Sequence, residues 1–337
     1  MAVASADGVS GARPIAFLTR HAWPWLRQTD DGAGRHGTLR VSLSNSDDAE
    51  WLVVFDDIAT PVSTHLPRSR RVLFVTEPHG QKNYPAHFAN QFGTVVSPYA
   101  VRGYRGRWMP SQPGINWFYG VTIENGKAVS RMDLQALRNL PVPEGKAKRI
   151  SVVCSTKTRL ERHRARLHLL KQLAAAFPDD IDIYGRGFSP IGDKADVIAP
   201  YRYHIALENS DCPHFWTEKL ADAYLGYALP VFSGCANVTD YFPERAMVRL
   251  PAIDDIEGAV RTVRELLAAD PWQERLDDIR AARTELIERQ NIFALIERLT
   301  ESRAHETVQR TARAELVYPG ADCGPLRVLL RKTGLTA

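Results

Sequence analysis

Four residues that are suited to bind a phosphorylated ligand lie close together in the second half of the chain. Glu208 and Asn209 follow an apolar run, and Glu218 and Lys219 open a helical pattern a little further on. A helix N-terminus offers unpaired N–H groups and the positive end of the helix dipole, which suits a diphosphate. Lys219 adds a full charge, and the Glu218 carboxylate can accept hydrogen bonds from sugar hydroxyls. An ordinary capped amphipathic helix would show the same spacing, so both interpretations stay open.

Short apolar runs bounded by turn residues alternate with helical patterns along the chain, which predicts an α/β fold. The predicted strands are at residues 15–18, 51–55, 72–75, 94–97, 150–154, 181–184, 204–207 and 229–232. Predicted helices are at residues 160–176 and 217–228, with three further helical stretches between 256 and 315. Strand–helix–strand repetition predicts parallel sheets with right-handed crossovers.

A segment rich in Pro, Gly and Lys at residues 141–148 interrupts this alternation and reads as a linker. A chain of 337 residues is expected to hold about two domains. We therefore predict a first domain at residues 1–145, a second at 149–315 and a C-terminal tail at 316–337. Two such domains form a cleft, and ligands of parallel sheets bind beyond the carboxyl ends of the strands.

The four residues belong to a longer ordered pattern. In chain order it reads Tyr201-Arg202-Tyr203, Glu208-Asn209-Ser210, Thr217-Glu218-Lys219, Pro230-Val231-Phe232, Gly234, Asn237 and Tyr241-Phe242-Pro243. This pattern resembles the signature of the family 10 glycosyltransferases, the α-1,3/4-fucosyltransferases. The resemblance covers residues 150–250 well and implies a GT-B type fold, with two Rossmann-like parallel-sheet domains facing a cleft. It assigns acceptor binding to the first domain and GDP-sugar binding to the second.

The resemblance also implies which residues touch the donor. It assigns donor contacts to Asn209, Glu218 and Lys219, and Glu208 and Phe215 lie in the same segment. Many family members carry Tyr at the position of Phe215, so one hydroxyl contact is absent here. The family has an Arg early in the second domain that neutralises the diphosphate. Arg166 is the aligned candidate and Arg164 is its rival, and the two would point about 200° apart on a helix.

A candidate catalytic base lies in the first half of the chain. Glu77 follows the predicted strand at residues 72–75 and should lie at its carboxyl edge, facing the cleft. It resembles the short family element whose Glu is taken as the base. Asp56 and Asp57, which follow another predicted strand, and His79 compete for that role.

The activity implied by the resemblance is inverting transfer of L-fucose from GDP-fucose to a glycan hydroxyl, in α-1,3 or α-1,4 linkage. Three alternatives stay open: transfer of another GDP-linked sugar, a non-catalytic nucleotide- or glycan-binding module, and a retaining transferase of similar architecture. After Pro243 the chain departs from the family pattern, which leaves the donor preference open.

We expect no metal and no cofactor beyond the donor substrate. Asp180-Ile181-Asp182 matches the D-x-D pattern of metal-dependent transferases, but it lies at the N-terminal edge of a predicted strand, away from the expected site. The four cysteines form no C-x-x-C pair.

The remaining expectations concern partners and location. A net charge of +4, with 43 basic and 39 acidic residues, is too balanced to indicate a nucleic-acid partner. Widely spaced cysteines and the absence of a visible signal peptide favour a cytoplasmic protein. The basic and apolar segment at residues 327–332 predicts a weak peripheral contact with an anionic membrane.

Overall fold

The computed structural model describes residues 12–320 except 79, 157, 159 and 160. The strands are β1 (Arg13–Thr19), β2 (Arg35–His36), β3 (Leu39–Ser42), β4 (Trp51–Phe55), β5 (Val62–Thr64), β6 (Arg71–Phe74), β7 (Thr94–Ser97), β8 (Arg107–Pro110), β9 (Val121–Glu124), β10 (Lys127–Ser130), β11 (Lys148–Val153), β12 (Ile181–Tyr184), β13 (Tyr201–Leu207), β14 (Leu229–Ser233), β15 (Val248–Arg249) and β16 (Glu315–Val317). The helices are α1 (Ala86–Ala89), α2 (Leu134–Arg138), α3 (Glu161–Ala176), α4 (Glu218–Leu225), α5 (Ile256–Ala269), α6 (Leu276–Glu288) and α7 (Ile292–Glu301). His79 and the predicted membrane-contact segment at residues 327–332 lie outside the described residues.

The first domain is built on a seven-stranded sheet in the order β2-β3-β1-β4-β6-β7-β8. All neighbouring strands are parallel except the short β2–β3 pair at one edge. Every residue of β4 and β6 is buried, because apolar clusters cover both faces of the sheet. A parallel sheet needs such cover on both faces, which explains why these strands read as unbroken apolar runs.

The second domain is built on a five-stranded parallel sheet in the order β12-β11-β13-β14-β15. Helices α3, α4, α5 and α6 contribute buried apolar residues to the core around it. The prediction of an α/β protein with two parallel sheets is confirmed. No helix in the described part of the chain is long and apolar enough to cross a membrane.

The structure corrects the predicted domain limits at the C-terminal end. Residues 149–315 were assigned to the second domain, but Phe293 and Ile296 of α7 pack with Ile15 and Phe17 of the first sheet. Strand β16 pairs antiparallel with β5, so it also belongs to the first domain. The reason is the apolar face of α7, which is buried against the first sheet rather than the second.

The limit at residue 145 is corrected as well. Trp117, Tyr119, Leu134 and Leu137 precede it in the chain, yet they pack in the core around the second sheet. Within the described residues the chain therefore crosses between the domains twice, once between residues 111 and 117 and once near residue 290.

Candidate active site

A cleft of about 520 Å³ opens where residues that follow strands of both sheets come together. This volume is within the usual range for a small-molecule site. The cleft is lined by His21, Ala22, Trp23, Trp25, Phe55, Thr76, Glu77, Gln81, Pro113, Gly114, Ile115, Asn116, Phe118, Asn209, Phe215, Thr217, Glu218 and Lys219. The predicted residues Glu77, Asn209, Phe215, Glu218 and Lys219 are among them, although they come from both halves of the chain.

Glu77 lies three residues after β6 and is half-buried in the wall of the cleft. Burial, followed by the negative charges of Asp56 and Glu218, raises the pKa of the Glu77 carboxyl to about 7. Its backbone carbonyl accepts a hydrogen bond of 2.9 Å from the hydroxyl of Tyr99, which helps to hold the turn. A carboxylate with a pKa near neutrality has the proton affinity that a general base needs.

The rival carboxylates Asp56 and Asp57 are less suited to act as a base. Asp56 accepts hydrogen bonds from Nε2 of His21 at 2.7 Å, from Nζ of Lys82 at 2.7 Å and from the hydroxyl of Tyr84. Burial raises the pKa of Asp56, but these hydrogen bonds outweigh burial and hold the pKa below its usual range. Asp57 is buried and accepts backbone N–H bonds, including one of 2.8 Å from residue 320.

The N-terminus of α4 carries the predicted phosphate-binding pair. Thr217 caps the helix, since its hydroxyl accepts a hydrogen bond from the backbone N–H of Lys219. The Lys219 ammonium lies 3.3 Å from Glu208 and 3.2 Å from Glu218. Burial lowers the pKa of Lys219, but these two carboxylates raise it more, so the group stays charged. Burial raises the pKa of Glu218, but Lys219 and Lys194 outweigh it and bring the pKa below its ordinary value.

Glu208 has a different role from the predicted one. Its side chain is fully buried and is not part of the cleft wall. Its carboxylate accepts hydrogen bonds from the backbone N–H of Thr217 at 2.7 Å and from Nζ of Lys219. Gly234 lets it approach so closely, because a Cβ at that position would lie 2.5 Å from the Cβ of Glu208. The predicted contact with substrate is therefore corrected: Glu208 holds the start of α4 from behind.

Asn209 and Arg166 meet at the edge of the cleft. Nη1 of Arg166 donates a hydrogen bond to Oδ1 of Asn209, and Nε of Arg166 is buried with no hydrogen-bond partner among the described residues. Nδ2 of Asn209 donates across the cleft to Oε1 of Gln81 at 3.4 Å. The rival Arg164 is exposed and bonds to a backbone carbonyl of its own segment, that of Thr158. The geometry therefore favours Arg166 for the diphosphate.

Several residues in or near the cleft were not found from the sequence. Arg162 lies four residues before Arg166 on α3 and pairs with Asp211 beside the donor segment. His21 and Trp23, in the loop after β1, line the first-domain side of the cleft. An i, i+4 pair of arginines is a signal that could have directed attention to Arg162. A single His or Trp in a loop carries no comparable signal.

The D-x-D segment lies elsewhere. Asp182 accepts hydrogen bonds from Nζ of Lys148 and from the hydroxyl of Tyr201, and Asp180 pairs with Arg149 at 3.4 Å. Neither carboxylate lines the cleft. Over the described ranges, no group of three or more His, Cys, Asp or Glu side chains is arranged to hold a metal ion.

Comparison with solved structures identifies the class of fold. The chain is similar to an α1,3-fucosyltransferase crystallised with GDP, with a TM-score of 0.50 and 12% sequence identity. The superposition covers 91% of this chain and 95% of that one. The two facing parallel-sheet domains are the GT-B arrangement of glycosyltransferases, as the sequence resemblance implied.

Sequence comparison narrows the class to a family over part of the chain. Residues 144–273 match the model of glycosyltransferase family 10 (fucosyltransferase), C-terminal domain. The matched range contains the whole ordered pattern from Tyr201 to Pro243, so the family 10 resemblance is confirmed there.

Relatives of known activity also match only part of the chain. The 3-galactosyl-N-acetylglucosaminide 4-alpha-L-fucosyltransferase of Pongo pygmaeus is 29% identical over 107 residues, which is 30% of this chain and 28% of that protein. The 4-galactosyl-N-acetylglucosaminide 3-alpha-L-fucosyltransferase of Homo sapiens is 30% identical over 91 residues, or 26% of this chain and 25% of that protein. The chain thus spans about a quarter of the length of the curated relatives it matches.

Proposed function

We propose that the protein is an inverting fucosyltransferase that moves L-fucose from GDP-fucose to a glycan hydroxyl, in α-1,3 or α-1,4 linkage. The observation that carries this proposal is the pairing of two groups in one cleft. Glu77, with its pKa raised to about 7, faces the helix N-terminus at Glu218 and Lys219. A single displacement at an anomeric carbon requires a proton acceptor and groups that bind the leaving diphosphate in the same cleft.

In the proposed reaction, Glu77 takes the proton of an acceptor hydroxyl. The hydroxyl oxygen attacks the anomeric carbon from the face opposite the diphosphate, and the bond from that carbon to the phosphate oxygen breaks. The bonding electrons leave with GDP, so the configuration inverts. The growing charge is met by Arg166 and Lys219. The base supplies about 10²–10⁴ in rate.

The relatives suggest the acceptor to test first. Their names describe proteins that act on galactosyl-N-acetylglucosaminides. We extend that acceptor class to this protein as part of the proposal, together with the GDP-sugar donor.

Ligand binding and product stereochemistry test the donor and the reaction together. GDP and GDP-fucose should raise the melting temperature, because ligands that bind the native state alone stabilise it by mass action, whereas UDP should have little effect. NMR of the product should show inversion at the anomeric carbon. Stabilisation by UDP-sugars alone would exclude the donor, stabilisation without transfer would indicate a binding module, and retained configuration would exclude the mechanism.

We also propose that transfer needs no metal ion, because Arg166 and Lys219 already supply positive charge to the leaving group. Transfer should continue in excess chelator. Complete loss of activity in chelator, with recovery on adding manganese, would contradict this.

A further inference from the structure

Given the proposed transfer to a glycan, an acceptor sugar must lie beside Glu77. The first-domain wall of the same cleft carries His21 and Trp23, which the proposed reaction does not use. Both belong to the loop between β1 and the short helical turn at Trp25–Gln28.

The imidazole of His21 is held in one orientation. Nε2 of His21 lies 2.7 Å from Oδ2 of Asp56, which is itself buried and bonded to Lys82 and Tyr84. Asp56 is ionised and can only accept, so Nε2 of His21 donates this hydrogen bond, which selects one tautomer of the neutral ring. Nδ1 is then an unprotonated acceptor, and it makes no hydrogen bond to the described residues. The His21 side chain is 49% exposed, so a ligand in the cleft can reach it.

The loop that carries His21 is also fixed. Nε1 of Trp25 donates to the backbone carbonyl of His21 at 3.2 Å, and the backbone N–H of His21 donates to the hydroxyl of Thr19 at 3.2 Å. The same Asp56 accepts a hydrogen bond of 3.2 Å from the hydroxyl of Thr76, the residue before Glu77. The buried Asp56 carboxylate therefore holds both the His21 imidazole and Thr76, the residue next to Glu77.

Trp23 supplies an aromatic surface next to this imidazole. The ring centroids of Trp23 and Phe118 are 4.5 Å apart, and Nζ of Lys194 lies 4.8 Å from the centroid of Phe118. Both rings line the cleft. An indole that is supported in this way offers a rigid apolar face beside polar groups, and it loses little conformational freedom when a ligand binds.

We propose that His21 and Trp23 form the acceptor subsite. The indole of Trp23 packs against the C–H face of a pyranose ring, while Nδ1 of His21 accepts a hydrogen bond from a hydroxyl of that sugar. This hydroxyl is not the one that Glu77 deprotonates, since a single proton cannot be given to both groups. His21 thus selects acceptors by a hydroxyl next to the reacting one.

Steady-state kinetics test the subsite. The acceptor probe is the glycan with the highest kcat/KM in a panel of free sugars and 3- and 4-galactosyl-N-acetylglucosaminides. His21→Phe and Trp23→Leu should each raise the KM for this acceptor about tenfold or more, as expected for a lost hydrogen bond or packing surface. The affinity for GDP-fucose, and the rise in melting temperature that GDP-fucose causes, should stay at the parent values. The matched controls are His87→Phe, at an exposed position of α1, and Trp108→Leu on β8, where the Trp108 side chain is 42% exposed. Both should leave the KM unchanged.

A second comparison separates a direct contact from a structural effect. His21→Asn keeps an acceptor oxygen near the position of Nδ1 and should recover part of the affinity. A set of acceptors that each lack one hydroxyl should contain one that the parent binds more weakly than the complete acceptor. His21→Phe should bind that deoxy acceptor and the complete acceptor equally well. Parent-like acceptor KM in both cleft variants, or an equal response of parent and His21→Phe to every deoxy sugar, would overturn the subsite. Failure of the parent to bind GDP-fucose, or to transfer to any glycan, would overturn the proposed function instead.

Discussion

At the scale of single residues, the Glu77 carboxyl in the cleft wall and the buried Asp56 carboxyl have opposite electrostatic environments. Glu77 is half-buried and lies near the negative charges of Asp56 and Glu218, so its pKa rises to about 7. Asp56 is held by donors from His21 and Lys82, and its pKa falls. Neighbouring titratable groups with divergent pKa values commonly have different tasks in a reaction. This difference supports the proposal that Glu77 takes the proton and that Asp56 has a positioning role.

The first prediction concerns the base itself. Glu77→Gln keeps the shape of the side chain but cannot accept a proton, so transfer should fall by roughly 10²-fold or more. GDP-fucose affinity, measured by calorimetry, should change little. A variant that keeps more than about a tenth of the parental rate would remove Glu77 from the role of base.

The second prediction concerns pH. Since Glu77 must be ionised to act, transfer should decline as pH falls below about 7, and this limb should be absent from the residual activity of Glu77→Gln. The free energy of unfolding should change with pH in the opposite direction to the rate of transfer. The folded state holds the Glu77 proton more tightly than the unfolded chain, whose pKa is near 4.5, so the parent loses stability as pH rises from about 4.5 to about 7.

The melting temperature checks the stability part of this prediction. Below pH 4.5, Glu77→Gln and the parent should have the same melting temperature. At pH 8, the melting temperature of Glu77→Gln should be higher than that of the parent. Equal melting temperatures for the two proteins at both pH values would contradict a raised pKa.

The third prediction concerns the diphosphate. Arg166→Ala should weaken GDP binding and slow transfer, because it removes a charge beside Asn209 and the helix N-terminus. Arg164→Ala is the matched control. It also removes one Arg charge, but Arg164 lies two residues earlier and is exposed. If Arg164→Ala proved to be the more damaging change, the assignment of Arg166 to the diphosphate would be reversed.

The sequence predicted which residues reach the cleft only where a residue's place in a motif fixes its position at a strand end or a helix start. Glu77, Asn209, Glu218 and Lys219 reach the cleft because each follows a strand or opens a helix. His21 was not predictable, because its partner Asp56 is 35 residues away and becomes adjacent only when β1 pairs with β4. Glu208 was misassigned for a related reason: a sequence pattern does not show which polar side chain turns inward.

At the scale of elements, helix α4 connects the donor site to the chain between the domains. Its first turn holds Glu218 and Lys219 at the cleft, and its buried Asp222 lies one turn later. Oδ1 of Asp222 accepts backbone N–H bonds from Phe118 at 2.9 Å and Tyr119 at 3.0 Å, and Oδ2 pairs with Lys194 at 2.7 Å. The helix thus orders the crossing segment as well as the ligand groups.

The fourth prediction follows from these contacts. Asp222→Ala should lower the free energy of unfolding by about 3–5 kcal/mol, because it leaves the Lys194 charge and two N–H groups without their partner. Urea denaturation measures this loss. Asp277→Ala is the control: its side chain is 92% exposed and pairs with Arg280, so the change should cost less than about 1 kcal/mol. Similar losses for the two variants would contradict the structural role of Asp222.

At the scale of the whole molecule, the two sheets were predictable but the assignment of the last helix was not. Strands β4, β7 and β12 have the predicted bounds, because their apolar runs end at turn residues. Helix α7 has a clear apolar face, yet helical periodicity does not indicate which of two sheets that face covers. Only the folded chain shows that it completes the first domain.

The fifth prediction tests that assignment. Phe293→Ala should destabilise the protein by about 3–5 kcal/mol, because it leaves a cavity between α7 and the first sheet. Hydrogen exchange should become faster first in β1 and β4, with β13 and β14 less affected. Arg298→Ala, exposed on the same helix, should change stability by no more than about 0.5 kcal/mol. Faster exchange confined to β13 and β14 would contradict the assignment.

The two crossings of the chain between the domains have a mechanical consequence. They run side by side, since Nε2 of Gln112 in the outgoing segment donates to the carbonyl of Gln290 in the returning one at 2.9 Å. Two adjacent covalent connections act as a hinge, which favours rotation about one axis and resists twisting. The bond between Asn209 and Gln81 spans the cleft, so a rotation that separated the domains would break it. We therefore expect donor entry and cleft closure around Glu77 to involve rotation about the one axis that these two connections define.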